Sequence, residues 1–347
     1  MSENSDLIRG AVEEFCQKSI VGRALEIERQ GMDDGILRAM ASQGFLGALF
    51  DPQYGGSGID RSSFFTMLEV FASYSPSTAA KLLITNSIAG PFLLNSAREK
   101  MQEVAQGNLK VTCIPGSFVS DRVPAQRLKE SGGRIKGELK NLPSPGSGIL
   151  IAPISEDSAA VVFSGIKVLE ERKPLSFRGL GNGDVSVDSA DFTVVDGWKG
   201  KLLKEILSSM DPGVSAIALG ISRGALRKVS EYVTVRKTFD HSLKDYSPVS
   251  RKISELMADL EIMEFYLDNM ESIDDDKALK LKVRSTEFAR TATKAAIQYH
   301  GGYGYFEDFG VEKFYRDSYG LSIMMMDREY DNLRLSEKIF GSRSGFL

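Results

Sequence analysis

The sequence has 347 residues, of which 42% are hydrophobic and 26% charged, and a formal net charge of −4, the profile of a globular protein of two or three domains. No run of lysine and arginine is long enough to follow a phosphate backbone, and no apolar stretch reaches the roughly 20 residues that span a bilayer, so neither nucleic acid binding nor a membrane span is expected. The polar N-terminus lacks the apolar core of a signal peptide, which favours a cytoplasmic location.

Cysteine and histidine are too scarce for several classes of enzyme. Cys16 and Cys113 are the two cysteines, and His241 and His300 are the two histidines. Widely separated cysteines fit neither a disulfide framework nor a metal motif, so we expect buried, reduced thiols. A zinc site or a histidine-based triad has few residues to draw on, which leaves chemistry carried by a bound cofactor.

Residues 1–109 are predicted to form an N-terminal helical domain. Ile36, Leu37 and Met40 repeat at helical spacing, and Gly44 is placed to end that helix. The stretch DPQYGGSGID reads as a loop because of its glycines and proline. The helical pattern then resumes with FFTMLEVFASY and continues through STAAKLLITNSIAGPFLL.

Residues 110–201 are predicted to form a small β domain, a barrel or a sandwich. Its apolar runs are short and rich in β-branched residues, and glycine and proline punctuate them. The runs include KVTCI, GILIAPI and AAVVFSGIKVL.

Residues 202–347 return to a helical pattern and are predicted to form an antiparallel bundle. Asp211 and Pro212 indicate the N-cap and the first position of its first helix. A second helix is predicted from Ser247–Pro248, and a third over 277–299. The chain is therefore an α+β multidomain protein with the order helices, β domain, helices.

Four stretches in this order resemble the acyl-CoA dehydrogenase family, and the resemblance covers nearly the whole chain. It implies an N-terminal helical domain, a middle β domain and a C-terminal four-helix bundle, with FAD held between the β domain and the bundle. The stretches are LGALFDPQYGGSGID, FRGLGNGDVSVDSADFTV, ALGISRGALRKVSEYVTVRKTF and QYHGGYGYFEDFGVEKFYRD.

Two motifs of that family touch the pyrophosphate and adenine end of a neighbouring subunit's FAD. Arg236 and Phe239 match the RxxF motif, and Gln298, Gly301 and Gly302 match QxxGGxGY. A guanidinium suits phosphate oxygens, and glycine lets backbone approach a bulky anion. Each feature alone has a structural explanation, a surface arginine or a helix end. Together and in order, they favour the cofactor.

The segments that face the flavin ring in the family are altered here. TCIPGSFVSD (112–121) is the nearest match to TEPGxGSD, and the resemblance implies a cofactor contact for Ser120. The family's tryptophan–isoleucine–threonine segment is missing. Its place is taken by KNLPSPGSG, with Pro143 or Ser144 near the threonine position.

The catalytic base of the family is also missing from its usual position. In most members the glutamate of Y-E-G-T removes the α proton of the acyl thioester while a hydride leaves the β carbon for the flavin. Counting from Tyr315, that glutamate corresponds to Met325, and a thioether cannot accept a proton. Asp327 or Glu329 would serve as base after a small shift of register. Asp211 is a further candidate, although a helix cap explains it better.

Three hypotheses stay open. The chain is one subunit of a hetero-oligomer whose sister chain supplies the base, or a self-sufficient enzyme using Asp327 or Glu329, or a protein without dehydrogenase activity. The third includes an FAD-free scaffold or binding protein and flavin oxygen chemistry. By analogy with the family we expect an acyl-CoA or acyl-carrier-protein thioester as substrate and an electron-transfer flavoprotein as acceptor. We also expect a homo- or hetero-tetramer.

Overall fold

The computed structural model describes residues 3–146, 148–270 and 275–341. Along the chain, helices precede and follow a middle β domain, which confirms the predicted order of helices, β domain and helices. The N-terminal helices are α1 (Glu3–Ser19), α2 (Ala24–Gln30), α3 (Asp34–Ser42), α4 (Arg61–Tyr74), α5 (Pro76–Ile84), α6 (Gly90–Ser96) and α7 (Met101–Ala105).

Local sequence explains how α3 begins and ends. The side chain of Asp33 accepts a hydrogen bond from the backbone N–H of Ile36 at 2.8 Å, which satisfies one of the free donors of the first turn. Beyond the last turn, Gly44 has a φ of +74°, a conformation that glycine adopts at little cost. Ile36, Leu37 and Met40 are buried, so the predicted apolar face of this helix is confirmed.

Two four-stranded sheets make up the β domain. Their strand orders are β1-β4-β5-β8 and β2-β3-β7-β6, with β1 parallel to β4 and the other pairs antiparallel. The strands are β1 (Val111–Cys113), β2 (Lys129–Ser131), β3 (Arg134–Pro143), β4 (Ile149–Pro153), β5 (Ser158–Val162), β6 (Ile166–Glu171), β7 (Asn182–Ser189) and β8 (Phe192–Asp196).

Strand β4 is buried on both faces, which explains its unbroken apolar sequence. Ile149 and Ile151 belong to the large core that the helices form. Leu150 and Ala152 point the other way, into a separate core between the two sheets. The β domain is therefore a sandwich whose first sheet also packs against the helices.

The C-terminal helices surround the 35-residue helix α8, and within the described residues no helix is long and apolar enough to cross a membrane. Helix α9 begins at Ser247 with Pro248 in its first turn, as predicted. A π-helical turn, Leu321–Met325, connects the last two helices. The elements are α8 (Lys201–Val235), β9 (Lys237–Thr238), β10 (His241–Ser242), α9 (Ser247–Asp268), α10 (Asp275–His300), α11 (Glu312–Gly320) and α12 (Arg328–Phe340).

The prediction that Asp211 caps the first bundle helix is wrong. Helix α8 begins at Lys201, so Asp211 and Pro212 lie well inside it. Proline removes one backbone hydrogen bond from the helix. Burial of Leu202, Leu203 and Ile206 on the preceding turns offsets that loss and carries the helix past the proline.

Candidate functional site

A cleft of about 640 Å³ lies where the β domain meets the C-terminal helices. We call it the central cleft. A Cβ placed on Gly116 would lie 3.7 Å from the carbonyl oxygen of Met324, so the two walls approach each other closely at this point. The cleft is lined by Ile114 to Gly116, by Gln126, Lys140, Asn141 and Pro143, by residues 170–177 and 180–182, and by Ile323 and Met324.

The β-domain wall of the central cleft is built on an irregular part of β3. The register with β7 shifts between Leu139 and Leu142, and Asn141 has a φ of +59°. The hydroxyl of Thr112 donates to the carbonyl of Pro143 at 2.5 Å, which ties this wall to β1. Pro143 therefore lines the cleft. Ser144 instead donates its hydroxyl to the carbonyl of Leu180 at 3.1 Å.

Ser120 does not line the central cleft. Its side chain is 4% exposed, and its Oγ accepts a hydrogen bond from the backbone N–H of Arg122 at 3.0 Å. The hydroxyl thus stabilises a local turn. Its predicted contact with a cofactor stays a prediction.

Asp327 and Glu329 sit together at the start of α12, outside the lining of the central cleft. Asp327 caps the helix, and its Oδ1 accepts from the backbone N–H of Tyr330 at 3.0 Å. Arg122 binds both carboxylates, with its Nη1 2.8 Å from Glu329 and its Nε 3.6 Å from Asp327. The hydrogen bond to Glu329 is the main reason why the pKa of Arg122 is raised. The helix cap and the ion pairs with Arg122 thus give both acids a structural role.

The methionine run divides between the core and the central cleft. Met325 and Met326 are 0% and 4% exposed, so they fill the interior as methionine often does. Met324 is half-buried and lines the cleft beside Ile323. The C-terminal helices therefore present apolar side chains to the cleft, whereas Met325, at the position aligned with the family's glutamate, is buried in the core.

Asp211 lies in a buried cluster of four charged side chains, away from the lining of the central cleft. Its carboxylate oxygens are 2.8 Å from the Nζ of Lys282 and 2.8 Å from the Nη1 of Arg334. Lys282 also lies 2.7 Å from Asp331. Burial would lower the pKa of Lys282, but the charges of Asp211 and Asp331 overcome it, and that pKa is raised. The cluster links α8, α10 and α12, and Asp211 belongs to it as a structural residue.

The two predicted adenine-end motifs meet on one exposed surface. The guanidinium of Arg236, at the end of α8, lies 6.0 Å from the ring centroid of Tyr303, which follows Gly301 and Gly302. Phe239 is at the tip of the β9–β10 hairpin with 87% of its surface exposed. The adenine-end surface comprises Arg236, Phe239, Gln298, Gly301, Gly302 and the exposed aromatic residues Tyr303, Tyr305 and Phe306.

Sequence analysis named none of the three aromatic residues of that surface as site residues, although Tyr305 is the tyrosine of the QxxGGxGY motif. Tyr303, Tyr305 and Phe306 are 47%, 83% and 56% exposed, unusual values for large apolar rings. Their signal was present in the alternation of glycine and aromatic residues in GGYGYF.

Comparison with known proteins identifies the chain. The family model for the acyl-CoA dehydrogenase N-terminal domain matches residues 2–105, and the model for the C-terminal domain matches residues 197–325. The chain belongs to the acyl-CoA dehydrogenase family. The predicted resemblance and fold class are thereby confirmed.

Full-length relatives of the family are similar at low sequence identity. The caffeyl-CoA reductase–Etf complex subunit CarC of Acetobacterium woodii is 25% identical, with 91% of this chain and 93% of the relative covered. The short-chain specific acyl-CoA dehydrogenase of Clostridium acetobutylicum is 23% identical, with coverage of 98% and 99%. Butyryl-CoA dehydrogenase of Megasphaera elsdenii has the same fold, with a TM-score of 0.82, 19% identity and 98% of each chain covered.

Acyl-CoA dehydrogenases use FAD, and the residues of this chain fit part of that cofactor. One solved relative of the same fold, glutaryl-CoA dehydrogenase of Mycobacterium smegmatis in complex with FADH2, has a TM-score of 0.86, 14% identity and coverage of 100% and 97%. The central cleft, at about 640 Å³, has the volume of a typical cofactor pocket. At Gly302 an added Cβ would meet no atom within 4 Å, so this surface has space for a large group.

Proposed function

We propose that this chain is a supporting subunit of an acyl-thioester dehydrogenase, where it binds the adenine end of an FAD whose flavin ring lies in a sister chain. The observation that carries the proposal is the 6.0 Å contact between Arg236 and Tyr303. It unites the RxxF and QxxGGxGY segments, far apart in sequence, into one exposed surface. A surface with a guanidinium, open glycines and aromatic rings suits a pyrophosphate joined to adenine.

The exposed hairpin supports a role in which another subunit covers this surface. Phe239 and Asp240 have φ values of +48° and +66°, and a bulky residue in this region is strained. Full exposure of the phenylalanine adds a large apolar area in contact with water. Both costs are offset when a neighbour or a bound adenine covers the ring.

The central cleft supports assigning proton transfer to the sister chain. FAD, when bound, accepts a hydride from the β carbon of the acyl group, and a base must then take the α proton. The C-terminal wall of this cleft offers Ile323 and Met324, and neither side chain can accept or donate that proton. The carboxylates that line the cleft, Glu170 and Glu171, lie on the opposite wall at the end of β6, and Glu170 pairs with Arg172. When the reaction runs towards reduction of an unsaturated thioester, the same position needs a group that donates the α proton.

The substrate and electron partner follow from the relatives and belong to this proposal. Three relatives are named as reductases, one of them a subunit of an Etf complex, and others are named as acyl-CoA dehydrogenases. We therefore assign an acyl-CoA or acyl-carrier-protein thioester as substrate and an electron-transfer flavoprotein as redox partner. The assembly would be a hetero-oligomer, because each FAD site needs two subunits, and by analogy with the family we propose a hetero-tetramer.

The test is the visible spectrum of the chain purified alone and after co-expression with a homologue that keeps the Y-E-G-T glutamate. Flavin bands only in the co-purified complex, bleached by an acyl-CoA, are the expected result. Arg236→Met in this chain should lower the flavin content of the complex several-fold, whereas Arg251→Met, on exposed α9, should not.

Two other outcomes would contradict the supporting role. Flavin bands from the chain alone, bleached by an acyl-CoA, would mean a self-sufficient enzyme, and Asp327→Asn and Glu329→Gln would then show which acid is the base. Absence of flavin from both preparations would leave a scaffold without redox activity.

A further inference from the structure

A second cavity, of about 840 Å³, lies between the N-terminal helices and the β domain. We call it the lysine cavity because Lys81, on α5, is part of its lining. It shares residues 171–174 and 180–182 with the central cleft and extends on to residues 28–32 and Lys110. We propose that the lysine cavity binds an organic oxyanion, a carboxylate or a phosphate, for which Lys81 is the counter-ion.

Lys81 is a buried cation that lacks a negative partner in the protein. The residue is 5% exposed, and its Nζ donates a hydrogen bond to the carbonyl of Val111 at 2.8 Å. Within the described part of the chain it forms no ion pair, and only one of its three N–H donors has a protein acceptor, which is a backbone carbonyl. Burial lowers the pKa of Lys81 to about 8. A buried charge is stable only when paired, which points to a ligand as the partner.

Comparison with the other buried lysines shows that Lys81 is exceptional. The described residues include three buried lysines, Lys81, Lys282 and Lys313. Lys282 has two carboxylates within 2.8 Å. Lys313 donates to the carbonyl of Tyr74. Burial lowers its pKa, and the charges of the nearby acids Glu28, Asp317 and Glu312 oppose that effect. The protein thus surrounds the other two with acids and leaves Lys81 facing a cavity.

Further cations make the walls of the lysine cavity positive. Six cationic side chains line it, namely Arg29, Lys81, Lys110, Arg172, Lys173 and Arg178, against three carboxylates, Glu28, Glu171 and Glu307. Concave walls with an excess of one charge raise the local concentration of the opposite ion.

Most of these cations already have protein partners. Arg29 and Arg178 both bind Glu307, at 3.1 Å each. Arg172 lies 2.6 Å from Asp184, which lowers the pKa of that acid to about 2. These pairs hold the walls in place. Lys81 and Lys173 are the two lining cations without an ion pair among the described residues. Lys173 is exposed, so the buried ammonium of Lys81 is the group that selects an anion.

The volume indicates that the oxyanion belongs to a small organic molecule, since about 840 Å³ greatly exceeds the space of a single inorganic ion. Two sources share the chemistry, a carboxylic acid and a phosphate ester. We would titrate the purified full-length chain with glutarate and with inorganic pyrophosphate by calorimetry, at constant ionic strength. Glutaramide is the neutral control. Tighter binding of glutarate would identify a carboxylate as ligand, and tighter binding of pyrophosphate a phosphate.

Lys81→Met should weaken binding of the preferred anion at least tenfold, whereas Lys81→Arg should retain it. Lys136→Met, an exposed lysine of the β domain, is the matched control and should change nothing. Wild-type affinity should fall as pH rises above about 8, because the free ammonium then loses its proton.

Binding of neither anion, or equal binding by Lys81→Met, would overturn the proposal. If Lys81→Met does not fold, a wild-type affinity that stays constant from pH 7 to well above 8 overturns it equally. The measurement uses no flavin and no thioester, so its outcome is independent of the proposed dehydrogenase role.

Discussion

Phe239 and Asp240 form a two-residue hairpin turn in which both residues have positive φ. Turns of this type favour Asn-Gly or Asp-Gly, because those residues adopt the left-handed region at low cost. A phenylalanine here is poorly suited to the turn. The adenine binding that we propose for this surface would give the strained, exposed ring a function.

Phe239→Asn should stabilise the isolated chain while impairing flavin retention by the complex. Asparagine tolerates the left-handed conformation, and the lost ring was 87% exposed, so we expect the free energy of unfolding to rise by about 0.5–1 kcal/mol. Denaturant unfolding of the single chain and the flavin-to-protein ratio of the co-expressed complex measure the two effects. Phe265→Asn, an exposed position within helix α9, is the control and should give no gain in stability. A loss of stability in Phe239→Asn would contradict the strain argument.

Gly302→Ala tests whether the open glycine serves a group outside the chain. A Cβ at this position meets no atom within 4 Å, so the free energy of unfolding should stay within about 0.5 kcal/mol of wild type. The flavin-to-protein ratio of the complex should nevertheless fall, because the methyl group occupies the space of the cofactor. Gly10→Ala, equally open but on α1, is the control and should leave the flavin content unchanged. Equal flavin content in both variants would remove Gly302 from the site.

At the residue scale, the positions of motif residues could be predicted from the sequence. A buried charged side chain without an oppositely charged partner could not. Arg236 and Gly302 belong to spaced motifs that can be read along the chain. Lys81 lies in the helical run STAAKLLIT, where a lysine resembles a solvated helix position. Only the packing of α5 against β1 shows that its ammonium is buried.

Helix α12 is held in the bundle by charge as well as by apolar contact. Asp331 and Arg334 on α12 pair with Lys282 of α10 and Asp211 of α8. The same helix starts directly after the methionine run that borders the central cleft. Its anchoring therefore determines where Met324 lies.

Lys282→Met should lower the free energy of unfolding by about 3–5 kcal/mol, because Asp211 and Asp331 would keep buried charges without their main partner. Denaturant unfolding at neutral pH measures the loss. Lys280→Met, on the same helix, is the control: its pair with Asp276 is largely solvated and should be worth less than about 1 kcal/mol. Similar effects of the two substitutions would mean that the cluster does not anchor α12.

At the element scale, the error at Asp211 has a physical origin. An aspartate followed by proline is a common helix start, and local sequence contains no sign that Asp211 would find two cations on distant helices. Tertiary packing of α8 overrides the local signal. By contrast, Ser247 and Pro248 follow a real loop, and there the same signal is correct.

For the whole molecule, the order of domains was predictable because the sequence changes from helical periodicity to short β-branched runs bounded by glycine and proline, and back to helical periodicity. The way in which the domains pack against one another could not be predicted from the sequence. Arg9 on α1 and Arg223 on α8 both bind Glu69 of α4, at 3.0 Å and 2.8 Å, and Arg223 also binds Glu264 of α9. These contacts join the N-terminal helices to the C-terminal bundle and depend on side chains up to 154 positions apart.

That cluster should make the stability of the whole molecule depend on pH. Burial, followed by the charge of Glu69, raises the pKa of Glu264 to about 8, from an ordinary value of 4.5. Between these values the folded state holds a proton that the unfolded state releases. The stabilisation that Glu264 contributes is therefore fully present below about pH 4.5. It falls as pH rises towards 8, by up to about 1.4 kcal/mol per pH unit.

Glu264→Gln should remove this contribution, because the amide imitates the protonated acid and does not titrate. We expect the free energy of unfolding, measured by denaturant between pH 5 and 8, to fall less steeply with pH in the variant than in wild type. The slope should not vanish, since burial also raises the pKa of Asp317 to about 8. Glu261→Gln, exposed on the same helix, is the matched control and should keep the wild-type slope. If Glu264→Gln also keeps the wild-type slope, Glu264 is ionised in the folded protein and Arg223 neutralises the cluster by itself.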